Sequence, residues 1–298
     1  MIVLVRWGMV IDLDKCVACQ ACVVACAAEN NQPIAGSNGI EGREVAKQGR
    51  VFSWMALISD IKGKYPNTKV QMLPRPCMHC DDPPCAKVCP VGARFKRKED
   101  GIVLTDFDRC IGCRFCMVGC PYDVNYFNWR EPKYVSKEHL NPASYRYGLG
   151  QVGPKPRPTG VVEKCLFCVH RNERLKSDLM NGKAGYLSRK FANEIELVKN
   201  GKMSIEELAA KAVDYIVRTL QTMTDEVLEE DLGEWRNWEG FEHTYIPACA
   251  STCPAKAIMF GDLDDPSSLV SEKANSPRAF RLLEELGTKP KVIYLAQG

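Results

Sequence analysis

Between Cys110 and Pro121 the chain reads C-I-G-C-R-F-C-M-V-G-C-P, four cysteines at spacings of three, three and four with proline directly behind the last. Cysteines three apart on a short loop rarely pair with each other, yet they converge easily on a metal. The arrangement recurs along the chain. Cys16, Cys19, Cys22 and Cys26 repeat the spacing, with Ala27 in place of the proline. Cys77, Cys80, Cys85 and Cys89 precede Pro90, and D-D-P-P lengthens the middle gap. Cys165 and Cys168 open a last group that is interrupted by 80 residues before Cys249 and Cys253-Pro254. All sixteen cysteines fall into these four groups of four.

The triple C-x-x-C-x-x-C with a trailing C-P is the bacterial pattern for [4Fe–4S] clusters, in which the last cysteine ligates a second cubane. Each cubane iron needs one thiolate, so four clusters consume sixteen cysteines and none is left over. Zinc also takes four thiolates, usually from two separated C-x-x-C pairs, and stays open for a single substituted site. Disulfide frameworks belong to small secreted chains, whereas 298 residues can bury a core without staples. The C-x-x-x-C-x-x-C loop of radical adenosylmethionine chemistry does not occur.

The net charge of +3 implies no strongly charged partner, and no nucleic-acid binding is expected. The basic run Arg94, Lys96, Arg97, Lys98 reads as a solvated hairpin, and the acidic patch Asp225, Glu226, Glu229, Glu230, Asp231, Glu234 as a solvated face or loop. The apolar N-terminal run is short and interrupted by Arg6, so no signal peptide is expected. No stretch approaches the ~18 apolar residues of a transmembrane helix, so a place at a membrane would come through another subunit. No Ser–His–Asp set, phosphate loop or paired-carboxylate pocket stands out.

Val3–Leu13 reads as a strand leading to Cys16, with Cys26 on a short helix. A polar, Gly-rich loop follows over Asn30–Gln48. The runs Val51–Ser59 and Lys69–Leu73 flank a Tyr65-Pro66-Asn67 turn and predict a hairpin over the metal loops. A second hairpin, ending in strand Ile102–Thr105, joins the second and third cysteine groups. Ser204 and Glu207 make a capping box for a helix whose stripe is Ile205, Leu208, Ala212, Tyr215, Ile216 and Leu220. Strands are expected at Ala257–Asp262 and Lys291–Ala296, with helix over Phe280–Leu286.

The chain resembles the four-cluster iron–sulfur subunit of complex iron–sulfur molybdoenzymes, the polysulfide, thiosulfate, tetrathionate and dimethyl-sulfoxide reductase group. The resemblance is carried by I-D-L-D-K-C-V-A-C, R-P-C-M-H-C-D-D-P-P-C, D-R-C-I-G-C-R-F-C, E-K-C-L-F-C and A-C-A-S-T-C-P-A-K-A-I-M-F-G-D-L-D-D-P. It covers residues 8–168 and 245–266 and leaves the interruption aside.

This resemblance implies an α+β fold of tandem bacterial-ferredoxin-like modules, two diclusters with a helical insertion and extended loops. Residues 1–65 then start the outer module, 66–135 form the central one, and 136–160 a Pro/Gly-rich linker. The fourth motif starts in 161–169, the insertion takes 170–244, and 245–298 complete the outer module and its extension. Shared ligands are implied: Cys16, Cys19, Cys22 with Cys253 (cluster a); Cys165, Cys168, Cys249 with Cys26 (cluster b); Cys77, Cys80, Cys85 with Cys120 (cluster c); Cys110, Cys113, Cys116 with Cys89 (cluster d).

The family further implies electron relay without a catalytic site of its own. The hetero-oligomeric partners would be a molybdenum- or tungsten-pterin catalytic subunit and an integral membrane quinone-reactive subunit. Such a chain sits peripherally on the membrane through its partner, on the periplasmic or the cytoplasmic face. A freestanding polyferredoxin, a hydrogenase-associated carrier and a zinc-stabilised module are the alternatives. His79 reads as a spectator more than as a hydrogen-bonding tuner of a potential, Lys164 as a tuner by charge, and Arg109 and Arg114 as tuners or simply solvated, while Tyr126–Trp129 is a candidate partner surface or part of the core.

Overall fold

A computed structural model describes residues 5–32, 53–129, 158–222 and 245–297. The acidic patch, most of the polar loop after Gln32 and nearly all of the linker lie outside these residues.

The central strand is β1 (Trp7–Asp12), buried along its whole length because W-G-M-V-I-D offers almost no polar face. It pairs antiparallel with β8 (Ile258–Asp262) and parallel with β10 (Val292–Leu295), registering Met9 with Phe260 and with Val292. The short strand β9 (Ala279–Phe280) completes the order β8-β1-β10-β9. The sheet therefore joins the start of the described chain to its end. Gly8 is required there, since a Cβ would lie 2.3 Å from Leu263 Cδ1 and 2.9 Å from the Lys291 carbonyl.

Three two-stranded antiparallel pairs accompany the sheet among the described residues. In the first, β2 (Ala56–Lys64) pairs with β3 (Asn67–Arg75) from Ala56↔Arg75 to Lys64↔Asn67. Both strands run further toward the turn than the apolar runs suggest. Only the root packs over the metal loops, and the tip is in solvent, with Tyr65 94% exposed. The second joins β4 (Arg94–Lys96) to β5 (Val103–Thr105), and the third joins β6 (Tyr126–Phe127) to β7 (Val162–Glu163).

Helix α1 (Ala21–Glu29) carries Cys22 and Cys26, and two one-turn helices, α2 (Pro84–Lys87) and α3 (Phe115–Val118), carry Cys85 and Cys116. After Cys168 come α4 (Val169–Met180), α5 (Tyr186–Lys190), α6 (Ala192–Lys199) and α7 (Ile205–Thr222). Helix α8 (Ala248–Ser251) carries Cys249, and α9 (Leu269–Ala274) covers the sheet.

The capping box at α7 is present in both directions. Ser204 N–H donates to Glu207 Oε2 and Glu207 N–H to Ser204 Oγ, each at 3.1 Å. The predicted stripe is the packing face: Leu208, Ala212 and Ile216 are buried against β8 and α4. Ser204→Ala is expected to cost about 1 kcal/mol, a fall of about 2 °C in the thermal midpoint.

The helix expected over Phe280–Leu286 does not form as one. Phe280 belongs to β9, where its ring stacks on Tyr294 at 5.6 Å. Leu283 then takes a left-handed φ of 49°, and only Glu284–Leu286 coils, as a single 3₁₀ turn. Apolar spacing alone could not separate a strand end from a helix here, because cross-strand stacking fixes Phe280.

Candidate metal centres

None of the sixteen cysteines is paired in a disulfide. The four C-x-x-C loops share one backbone device. Ala18, His79, Gly112 and Phe167 occupy the same place in their loops, just before the second cysteine, and have φ of 57°, 43°, 69° and 52°. This left-handed turn folds the loop so that backbone N–H groups face sulfur. His79 N–H lies 3.4 Å from Cys77 Sγ, and Phe167 N–H 3.4 Å from Cys165 Sγ. Only the third loop uses glycine, and there a Cβ would meet the Gly160 carbonyl at 2.1 Å. Further N–H groups follow two of the distant cysteines: Arg94 N–H lies 3.4 Å from Cys89 Sγ, and Ala257 N–H 3.3 Å from Cys253 Sγ.

The fold gathers the cysteines into four foursomes. Cys16, Cys19, Cys22 and Cys253 line one hollow, walled by Leu57, Pro74 and Ile258 (site a). Cys77, Cys80, Cys85 and Cys120 line a second, with Met78, Val103 and Val124 (site c). Cys89, Cys110, Cys113 and Cys116 line a third, with Arg94 and Val162 (site d). Cys26, Cys165, Cys168 and Cys249 are all buried together (site b). There burial pushes the Cys249 thiol well up, and Cys168, Cys26 and Cys165 add to it.

The foursomes form a series. Cys22 of site a also adds to the shift of Cys249 in site b. Burial and then Cys77 of site c push Cys165 of site b up to about 12. Cys85 of site c and Cys116 of site d pack in one small apolar cluster with Val103 and Val162. The exposed thiols stand at the two ends, Cys19 in site a and Cys113 in site d.

The chemistry of these donors suits polynuclear clusters. Burial raises Cys80 to about 12 and Cys85 and Cys22 to about 11, so bare thiolates are costly and only bound cationic metal offsets them. Among the described residues no three His, Cys, Asp or Glu side chains stand close enough for a single ion. One zinc would need all its sulfurs about 2.3 Å away. The thiols instead rim cavities walled by apolar side chains, with backbone N–H groups aimed at sulfur, as a cubane with a thiolate at each iron requires.

Several groups escaped the sequence reading. Asn30 Nδ2 lies 3.7 Å from both Cys26 Sγ and Cys168 Sγ, and Gln32 Nε2 lies 3.2 Å from Cys26 Sγ. Both lie in a stretch whose polarity reads as surface loop. The basic run is not a solvated hairpin. Arg94 is buried with Nη2 3.6 Å from Cys116 Sγ. Arg97 pairs with Asp100 and, at 2.8 Å, with Glu173.

His79 turns its ring onto Phe167, 3.7 Å between centroids, and Nδ1 accepts from Val103 N–H at 3.2 Å, so its backbone rather than its ring donates to sulfur. Burial holds that imidazole well below its ordinary pKa, with Lys164 adding to it. Arg109 is exposed beside Asp106, and Arg114 lies over Phe127 and Trp129 at 5.3 and 4.6 Å. Tyr126 and Phe127 are half-buried in β6, while Trp129 is exposed.

Two family models match, both described as 4Fe-4S dicluster domains, over residues 15–93 and 68–138. Among curated proteins, the iron-sulfur cluster-binding subunit of menaquinone reductase from Nitratidesulfovibrio vulgaris is 36% identical across 98% of this chain and 89% of its own length. A selenate reductase subunit from Mesobacillus selenatarsenatis is 34% identical, over 98% of this chain and 72% of that one. The iron-sulfur subunit of arsenate respiratory reductase from a Shewanella species is 31% identical, over 97% and 96%.

Proposed function

The chain belongs to the iron–sulfur electron-transfer subunits of multi-subunit molybdoenzyme reductases, and from that premise we propose that it relays single electrons through four [4Fe–4S] clusters. One end of the relay would meet a molybdenum- or tungsten-pterin catalytic subunit. The other would meet an integral membrane quinone-reactive subunit, in keeping with the menaquinone reductase relative. No helix among the described residues is long and apolar enough to cross a membrane, which fits attachment through such a partner.

The observation that carries this reading is the series of foursomes, buried in the middle and exposed at both ends. Cys16, Cys19, Cys22 and Cys253 would hold cluster a, and Cys26, Cys165, Cys168 and Cys249 cluster b. Cys77, Cys80, Cys85 and Cys120 would hold cluster c, and Cys89, Cys110, Cys113 and Cys116 cluster d. Sites a and b would form one module and sites c and d, in the 66–135 region, the other. When bound, each cluster supplies a one-electron carrier. The protein's part is to space the thiolates, screen the inner pair from water and direct N–H dipoles at sulfur. With every thiolate engaged no open coordination position remains for substrate, so substrate chemistry belongs to the partner.

Anaerobically purified protein is expected to contain about sixteen iron and sixteen sulfide per chain and to co-purify with a pterin-containing subunit. A colourless, zinc-loaded chain would refute the relay. A stable monomer with full clusters would leave the clusters but remove the fixed complex.

A further inference from the structure

We infer that Arg94 and Thr105 are built to donate hydrogen bonds to sulfur at site d, and that they make site d the more easily reduced of the two exposed ends of the relay. The inference rests on the electron-relay reading. It comes from two buried polar side chains whose donors find no acceptor elsewhere among the described residues.

Arg94 opens β4, Thr105 closes β5, and the two stand directly opposite each other in the pair. Directly opposed residues of an antiparallel pair share one face, and both residues line the hollow of site d. Each is 2% exposed. Arg94 meets the site twice, since its backbone N–H lies 3.4 Å from Cys89 Sγ and its Nη2 3.6 Å from Cys116 Sγ. Its Nε and Nη1 and the Thr105 hydroxyl have no hydrogen-bond partner among the described residues. A buried donor without an acceptor is costly, and a charged one most of all. The acceptor this hollow offers is sulfur. Thiolate and sulfide sulfur held there would accept from these donors and offset the guanidinium charge at once.

The other exposed end has no such lining. Apart from its cysteines, site a is lined by apolar side chains and by Gln20, which is exposed. Lys15 and Lys256 are near in sequence, but neither lines that hollow, and Lys15 is exposed and donates to Gln221 at 2.8 Å. At site d, Arg109 is exposed beside Asp106, and Arg114 is exposed over Phe127 and Trp129. Water and salt screen such surface charges. Solvent access does not separate the two ends either, because each has one exposed cysteine, Cys19 or Cys113. Arg94 is therefore the buried charge that sets them apart. Potentials of iron–sulfur clusters respond to net charge and to hydrogen bonds on sulfur. A buried cation attracts the added electron, and donors on sulfur stabilise the extra negative charge. Of the two ends, the electron accordingly settles at site d.

The test is an EPR-monitored redox titration of the intact complex, with site d identified as the wave altered by Cys113→Ser and site a by Cys19→Ser. In wild type the site d wave is expected at the higher potential. Arg94→Gln is expected to lower the reduction equilibrium of site d about tenfold, about 59 mV for one electron. Site c, whose Cys85 packs with Cys116, should follow by less. Thr105→Val keeps the side-chain shape, removes the donor and should lower site d alone, about threefold. Arg94→Lys keeps the charge and should recover part of the loss, while site a stays unmoved in every variant. Residues that served only to hold β4 against β5 would change the thermal midpoint and leave the site d wave in place. With iron content at the wild-type level, that outcome, a site a wave above that of site d, or an equal shift of all waves overturns the inference. Should Arg94→Gln shed iron, Thr105→Val decides the matter. An iron-free wild-type protein would instead defeat the relay itself, so the two failures are distinguishable.

Discussion

Cys249→Ala is expected to remove about a quarter of the iron and to lower the thermal midpoint by roughly 10 °C. The size of the effect follows from where Cys249 sits. It lies on α8, which packs against α1, the helix that carries Cys22 and Cys26. Site b draws on Cys26, Cys165, Cys168 and Cys249, so a cluster there would tie together segments more than 200 residues apart. Its loss frees the motif-one helix from both motif-four segments and leaves three buried thiols without their metal. Cys113→Ser is the contrasting variant. Cys113 is an exposed rim residue of site d, and the loops on either side of it stay anchored by Cys110 and Cys116. Its expected cost is about one iron per chain and a small change in midpoint. Iron analysis with calorimetry on both variants checks this. Wild-type iron in Cys249→Ala would show that site b does not hold a cluster through that thiol.

The four C-x-x-C loops themselves were legible because loop chemistry is local. A C-x-x-C loop needs only a left-handed turn and a short helix after it, and Ala18, His79, Gly112 and Phe167 supply that turn whatever surrounds them. The amphipathic helix after Ser204 was legible for a similar reason, since its cap and its stripe are both encoded within a few turns. What could not be read was the second layer around sulfur. Arg94 belongs to a basic run, and only the folding of β4 against β5 brings its side chain inward to Cys116. Asn30 and Gln32 follow α1 in a polar stretch, and no spacing rule marks them as donors to Cys26. Polar residues at long range from their partners carry no periodicity, so a sequence reading assigns them to solvent. Phe280 failed in the opposite direction, because its apolar neighbours suggest a helix face while Tyr294 holds it in a strand.

Glu29→Ala is expected to destabilise the protein by about 3–5 kcal/mol, the usual cost of leaving one member of a buried ion pair alone. Glu29 ends α1, and its carboxylate accepts from Arg171 Nε at 2.8 Å, from Arg171 Nη2 at 2.7 Å and pairs with His170 Nε2 at 2.5 Å. His170 and Arg171 lie in the first turn of α4, directly behind Cys168. The pair therefore clamps the helix bearing Cys26 to the helix that follows Cys168. Its side chains are only 12% and 14% exposed, so water cannot replace the lost partner. Removal should loosen site b, read as faster iron loss to a chelator in Glu29→Ala than in wild type. Burial acts to raise the Glu29 pKa, but Arg171 and His170 outweigh it and hold the carboxyl well below its ordinary value of 4.5. A depressed carboxylate contributes stability that is present above its unfolded pKa and is lost as the pH falls through its folded one. The advantage of wild type over Glu29→Gln should therefore hold at pH 7 and shrink progressively below about pH 4.5. Parallel denaturation curves from pH 7 down to pH 3.5 measure it. A difference that grows on acidification would mean that the Glu29–Arg171 clamp is not what holds α1 to α4.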